Sequence, residues 1–440
     1  MSGSRRDAGL IRTIGPWGLA ANLICTIVGA GIFVVPAALA ACIGPYAPVA
    51  FVVCGIAIGA VAICFAEGGS RVPTSGGPYG YIETAFGPLT GFVAGILLIA
   101  GDVLACGGVA AALADAAAGI MPQQWRTVGH PAVIVGTIGA VTLINVGGVR
   151  RGTRLVSAAT VAKLVPLALV VVVGAWAVHG ANFAATVAPG TRGLGRAMIL
   201  ALFVLTGMEG ALSVSGEVRE PSRTIPRALG IALGSVLVLY IAIQVTVQGI
   251  MGAALAGSAA PLADAMGRVS PELRAVVLAG TAVSMFGWIS SDVMSTPRML
   301  FAFARDGMLP RVLGRTHPRT HAPDAAIFFY AAVAAGLALT GTFAELAVLS
   351  TLTSAVLYMM GCAAAGRLAR RGVAEAGTPV NFRWLGAAVV VGIGGMFALS
   401  ALASRAEIVG VLALIAASAA IYMVQRRVQG TRTAAGNSVS

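Results

Sequence analysis

Long apolar runs separated by short polar connections occupy the chain from residue 14 to residue 425. A helix that crosses a bilayer needs about 20 mostly apolar residues. Twelve stretches satisfy this: 14–41, 45–66, 88–119, 131–149, 155–178, 194–216, 227–252, 273–301, 323–342, 345–366, 384–402 and 405–425. No connection is long enough for a separate soluble domain. The pattern predicts an all-α integral membrane protein, a single domain of twelve transmembrane helices. Arg5, Arg6 and Arg12 precede the first run, which continues into the rest without a small-residue cleavage site, so it reads as a retained span.

Composition narrows the class. Hydrophobic residues make up 58% and charged residues 10%, against about 45–50% and 25% in soluble domains. A soluble enzyme, a disordered chain and a disulfide scaffold are excluded. The net charge of +13 would suggest nucleic acid in a soluble protein. Here it follows the gathering of arginine in cytoplasmic loops. With the N-terminus inside, 22 of the 29 basic residues fall in inner segments and six in outer ones: Arg126, Arg192, Arg196, Arg268, Arg274 and Arg405. An even number of spans with both termini cytoplasmic fits that asymmetry. The six cysteines lie in or beside apolar stretches without CxxC spacing, so they read as core packing and not as metal or redox groups. No His/Asp metal cluster and no Ser/His/Asp spacing supports an enzyme, and no metal or cofactor is expected.

The remaining basic residue is Lys163, the only lysine in the protein, inside span five. Intramembrane charge is costly and usually faces a partner or a wet path, and lysine, unlike arginine, readily loses its proton when buried. Snorkelling to the interface is the other reading. Spans one and six each carry glycines near the middle, Gly29-Ala30-Gly31 and Thr206-Gly207-Met208-Glu209-Gly210. Interruptions at matching positions of two halves point to an inverted-repeat transporter, in which freed N–H and C=O groups bind a zwitterion. Close packing of helices through small residues is the alternative. Asp102 in span three and Asp292 in span eight either pair with a cationic part of a substrate, pair with Lys163 or Glu209, or sit protonated in a polar network.

Four stretches then carry a resemblance: Ile27 to Pro36; Glu67 to Pro73 with Gly76-Gly-Pro-Tyr-Gly-Tyr81 and Phe86-Gly-Pro88; Gly207-Met-Glu209 with Glu217-Val-Arg-Glu-Pro221 and Ile225-Pro-Arg227; and Ala304-Arg-Asp-Gly-Met-Leu-Pro310. In this order they resemble the amino acid–polyamine–organocation superfamily of permeases. The resemblance implies an inverted repeat of spans 1–5 (about 13–178) and 6–10 (about 194–366), plus two further helices (about 384–425). Helices 1 and 6 would be unwound at mid-membrane. It implies alternating access for an amino acid or amine, often with proton symport or exchange. Gly29, Ala30 and Gly31 would hold the substrate carboxylate, with Thr26 nearby. Thr206, Gly207 and Met208 would hold the ammonium, and Phe203 would gate the pocket. Glu209 would carry a proton or stabilise the broken backbone. Lys163 resembles a lysine that replaces a sodium ion in proton-coupled relatives, with Ser290 and Ser291 of helix eight beside it. Glu67, Arg71 and the Gly-Gly-Pro-Tyr turn would fix the inner ends of helices two and three. Glu217, Arg219, Glu220 and Arg223 would pair with Arg305 and Asp306 as an inner gate. His130, His179, His317 and His321 fall in loops and carry no expected role. A proton-coupled permease of the cytoplasmic membrane is the first expectation, and an amino acid or polyamine exchanger the alternative.

Overall fold

The computed structural model describes residues 13–73, 77–147, 163–184, 190–317, 320, 322–375 and 378–437. Those residues are helical and connecting, with one isolated β-bridge, Ile14 to Val218. The helices are α1 (Pro16–Ile27), α2 (Val35–Ile43), α3 (Ala47–Arg71), α4 (Pro78–Phe86), α5 (Pro88–Ile120), α6 (Gln123–Val146), α7 (Leu164–Gly174) and α8 (Thr191–Leu205). They continue with α9 (Met208–Ala211), α10 (Pro221–Met251), α11 (Pro261–Gly267), α12 (Pro271–Arg305), α13 (Asp324–Thr340), α14 (Phe343–Arg370), α15 (Leu385–Ala401) and α16 (Arg405–Asn437). Among the described residues, eight helical segments are long and apolar enough to cross a membrane, and four shorter apolar helices accompany them. The protein is a multi-pass membrane protein.

Proline sets many of the helix starts, because it fixes φ and its missing N–H would be unbonded in a first turn anyway. Pro16, Pro36, Pro78, Pro88, Pro221 and Pro271 all stand at a first or second helical position. Two expected starts were too late for the opposite reason. Span four begins at Gln123, not 131, and span seven at Pro221, not 227, because Pro131 and Pro226 sit inside helices. His130 is therefore on α6 and not in a loop, and its Nε2 lies 3.0 Å from Asp115. His321 and residues 148–162, which hold most of the first half of span five, lie outside the described residues.

The lipid-facing surface is legible in tryptophan. Four of the five tryptophans are exposed at helix ends: Trp17 before the second turn of α1, Trp125 in the first turn of α6, Trp176 just past α7 and Trp384 just before α15. That is the interfacial belt expected where amphipathic rings meet headgroups. The fifth, Trp288, is in mid-α12 and points inward.

The interior is held by helix packing through small residues and by a few buried polar knots. Glu67 is fully buried, and Arg71 nearly so, at the end of α3. Arg71 Nε donates to Glu67 Oε1 at 2.7 Å, and its other nitrogens reach the Val373 carbonyl and Asn381 Oδ1. The Phe382 amide donates to Glu67 Oε2 at 3.0 Å. The pair thus fixes the C-terminal end of α3 to the segment before α15. Contact with the α4 side comes instead from Tyr81, whose ring lies on Gly68 and edge-on to Phe65. Removing one partner of a buried ion pair costs about 3–5 kcal/mol. Arg71→Met is expected to lower the unfolding temperature of the purified protein markedly, and an unchanged melt would show the knot to be dispensable.

For Arg223 and Arg305 the expected inner-gate pairing is corrected. Arg223 pairs with Glu220 at 3.4 Å and Arg305 with its neighbour Asp306 at 3.8 Å, both local and mostly exposed. Backbone also joins the two halves here: the Thr13 and Ile14 amides donate to the Glu217 carbonyl, and the Arg219 amide to that of Ile14.

Candidate functional site

The glycine motifs interrupt their helices. α1 stops at Ile27, a single 3-10 turn covers Gly31–Phe33, and α2 starts at Val35. α8 stops at Leu205, Thr206 is extended, and Gly207 has φ +111° before α9 begins. Only glycine takes that angle without strain. A Cβ on Gly207 would also stand 3.3 Å from the Thr26 carbonyl oxygen. The halves pack crosswise, α1 on α9 and α2 on α8, so both interruptions face each other.

A helix leaves its last four carbonyls without internal partners. In α1 two of these are reached by side chains from elsewhere. The Lys163 ammonium donates to the Cys25 carbonyl, and Tyr240 Oη donates to that of Ile27 at 2.9 Å. A cation at a helix C-terminus also meets the negative end of its dipole. Lys163 is only 6% exposed, so its charge is spent on α1 and does not reach the interface. On the other interruption, Glu209 Oε2 accepts from the Gly207 amide at 3.1 Å and from Tyr358 Oη at 2.6 Å. Thr206 Oγ1 donates to the Phe203 carbonyl at 2.6 Å.

Between the interruptions lies a cavity of about 220 Å³. That is below the about 300–1,000 Å³ of drug-sized ligand sites and suits a small molecule. Gly29, Ala30 and Gly31 line it on one side and Thr206, Gly207 and Glu209 on the other. Thr26, Lys163, Phe203, Asp102, Ser291 and Asp292 complete the expected residues that reach it. Met208 and Ser290 are buried but do not line it. The Ser290 carbonyl instead accepts from Asn145 of α6 at 3.4 Å. Thr26 Oγ1 donates to the Asn22 carbonyl within its own helix. Phe203 packs edge-on against Phe343, with rings 5.7 Å apart, and lies over Gly31.

The two aspartates join each other's network and form no described ion pair with Lys163 or contact with Glu209. Thr296 Oγ1 is 2.8 Å from Asp102 Oδ2 and 3.2 Å from Asp292 Oδ1. Tyr330 Oη is 2.5 Å from Asp292 Oδ2. Sequence reasoning missed Thr296, Trp288, Tyr240, Tyr330 and Tyr358. Among the described residues no group of three or more His, Cys, Asp or Glu could hold a metal ion.

A cavity between two broken helices in a multi-pass membrane protein has the architecture of a transporter. Comparison with known proteins gives the family. The model named "Amino acid permease" matches residues 14–404, and the chain belongs to that family. An uncharacterised transporter of Mycobacterium tuberculosis is 34% identical over 327 residues, 72% of this chain and 71% of that one. A serine/threonine exchanger of Bacillus subtilis is 29% identical, covering 84% and 86% of the two chains. A methylthioribose transporter of the same organism is 26% identical, covering 80% and 81%.

Proposed function

We propose that this permease moves a small amino acid across the cytoplasmic membrane by alternating access, coupled to protons. The reading takes all twelve spans, with both termini cytoplasmic, as spans 1–5 and 6–10 in inverted repeat plus two further helices, and helices 1 and 6 unwound at mid-membrane. The observation that carries it is the convergence of two interrupted backbones and one buried lysine on a single small cavity. Backbone N–H groups of Ala30 and Gly31 receive the substrate carboxylate, beside Gly29, whose amide donates to the Ile27 carbonyl. Carbonyls around Thr206 to Met208 receive its ammonium, and Phe203 covers it. Lys163 holds the end of α1 while protonated and releases it on deprotonation, so that one side chain acts where other transporters use a bound cation. Ser291 lines the same cavity as Lys163.

An exchanger is the second reading, favoured by the similarity to a serine/threonine exchanger. Uptake of a labelled amino acid panel into proteoliposomes separates the two. Symport predicts uptake of one amino acid class raised by an inward proton gradient and indifferent to sodium. Uptake that requires preloaded internal amino acid and ignores the gradient selects the exchanger, and uptake of none of the panel overturns both.

A further inference from the structure

One cluster on the cavity wall holds more hydrogen bonds than its hydroxyl protons can supply. It spans three helices: Asp102 on α5, Asp292 and Thr296 on α12, and Tyr330 on α13. Three hydrogen bonds link the four groups: Asp102 with Thr296, Thr296 with Asp292, and Asp292 with Tyr330. Thr296 and Tyr330 contribute one proton each. If both carboxyls were ionised they would only accept, and Thr296 could satisfy one of them alone. The third hydrogen bond needs a proton on a carboxyl.

We infer that Asp102 and Asp292 share a single bound proton at neutral pH, with Thr296 as the positioning residue between them. Asp292 is the better anion. It accepts from Tyr330 and Thr296, whereas Asp102 is left to donate its own proton to Thr296 Oγ1. The proton comes from cavity water and returns to it, since both carboxyls line the cavity. Two carboxylates this near one hydroxyl, shielded from solvent, repel each other strongly, and one proton relieves that. No described cation does so instead. Of the other charged or titratable groups on the cavity besides the Cys25 thiol, Lys163 is engaged by the Cys25 carbonyl, Glu209 by Gly207 and Tyr358, and Tyr240 by the Ile27 carbonyl. The α14 hydroxyls of Thr353 and Ser354, against Gly101, are neutral. α6 presents Asn145, also neutral, to α12.

This deepens the proton-coupled reading and rests on it only for its consequence in transport, because protonation can be measured without substrate. Infrared difference spectra of the purified protein in lipid nanodiscs at pH 7, wild type minus Asp102→Asn, are expected to contain one carboxylic-acid C=O band. Wild type minus Asp292→Asn should contain one as well. The Asn side chain retains a donor for Thr296, so Asp102→Asn should keep the fold, and a matching melting temperature checks this. Thr296→Val should shift the band's frequency and its titration midpoint, and Thr296→Ser should restore both. A band absent from both differences overturns the inference. So does a band that Thr296→Val leaves unmoved, because the hydroxyl would then not join the two carboxyls. Failure of amino acid uptake with the bands present would instead strike the transport reading alone.

Discussion

Lys163→Ala is expected to abolish the pH dependence of transport and to cut its rate roughly ten- to a hundredfold, while the protein still inserts in the membrane. The argument starts from the end of α1. The Cys25 carbonyl belongs to a last turn that stops at Ile27, so no further helical amide reaches it. Lys163 supplies the donor. Hydrogen bonds to a charged group are worth about 1.5–3 kcal/mol, and each 1.4 kcal/mol is about a factor of ten. The contact is complete while the amine is charged, hence at lower pH, and weakens as pH rises and the proton leaves. Alanine removes both states, so the rate becomes low and flat with pH. Lys163→Arg separates charge from titration: arginine keeps its proton at any accessible pH, so substrate binding should persist while turnover stalls. Transport by Lys163→Ala with the wild-type pH profile would remove this lysine from the mechanism.

Gly31→Val is expected to lower substrate affinity by at least tenfold, with normal expression. The cause is space, not backbone angle. Gly31 is absent from the residues with positive φ, so any residue accepts its conformation. A Cβ there would stand 2.7 Å from Val204 Cγ1 and 2.9 Å from Phe203 Cε1. Valine adds two methyl groups beyond that. Phe203 is backed by Phe343, so its ring cannot simply swing aside, and overpacking of this kind costs about 1–3 kcal/mol. The strain falls on the last turn before the Thr206–Gly207 interruption and on the aromatic over the cavity. Binding by isothermal titration against a substrate identified from the uptake panel is the check. Wild-type affinity would refute the site between the two interruptions.

How much of this was legible in the sequence follows from what each signal depends on. The interruptions were readable because glycine-bearing segments recur at matching positions of spans one and six and Pro36 fixes a helix start; glycine alone is no signal, since α5 runs unbroken through Gly101, Gly107 and Gly108. Lys163 was readable because a lone lysine in an apolar run has few uses. The partners were not. Tyr240 serves a carbonyl 213 positions away, and Tyr358 serves Glu209 149 positions away; a tyrosine in a long apolar helix carries no mark of which face turns inward. The face of α12 was an exception that passed unnoticed. Ser284, Trp288, Asp292 and Thr296 recur every fourth residue, the spacing of one helix face, and that face walls the cavity. The inner-gate pairs failed for a different reason. Arg223 lies three residues from Glu220 and Arg305 adjoins Asp306, so each finds an acid on its own segment, and exposed charges gain little by reaching further.

The Glu67–Arg71 knot also bears on how the molecule can be taken apart. Its outer half comes from Val373, Asn381 and Phe382, which precede the last two helices. A chain cut after α14 would strand a fully buried carboxylate and guanidinium with half their ligands gone. The last two helices are thus not a removable appendage on a ten-helix core. Val373, Asn381 and Phe382 close the C-terminal end of α3, and dissection or grafting of this permease has to keep them with whatever core it retains.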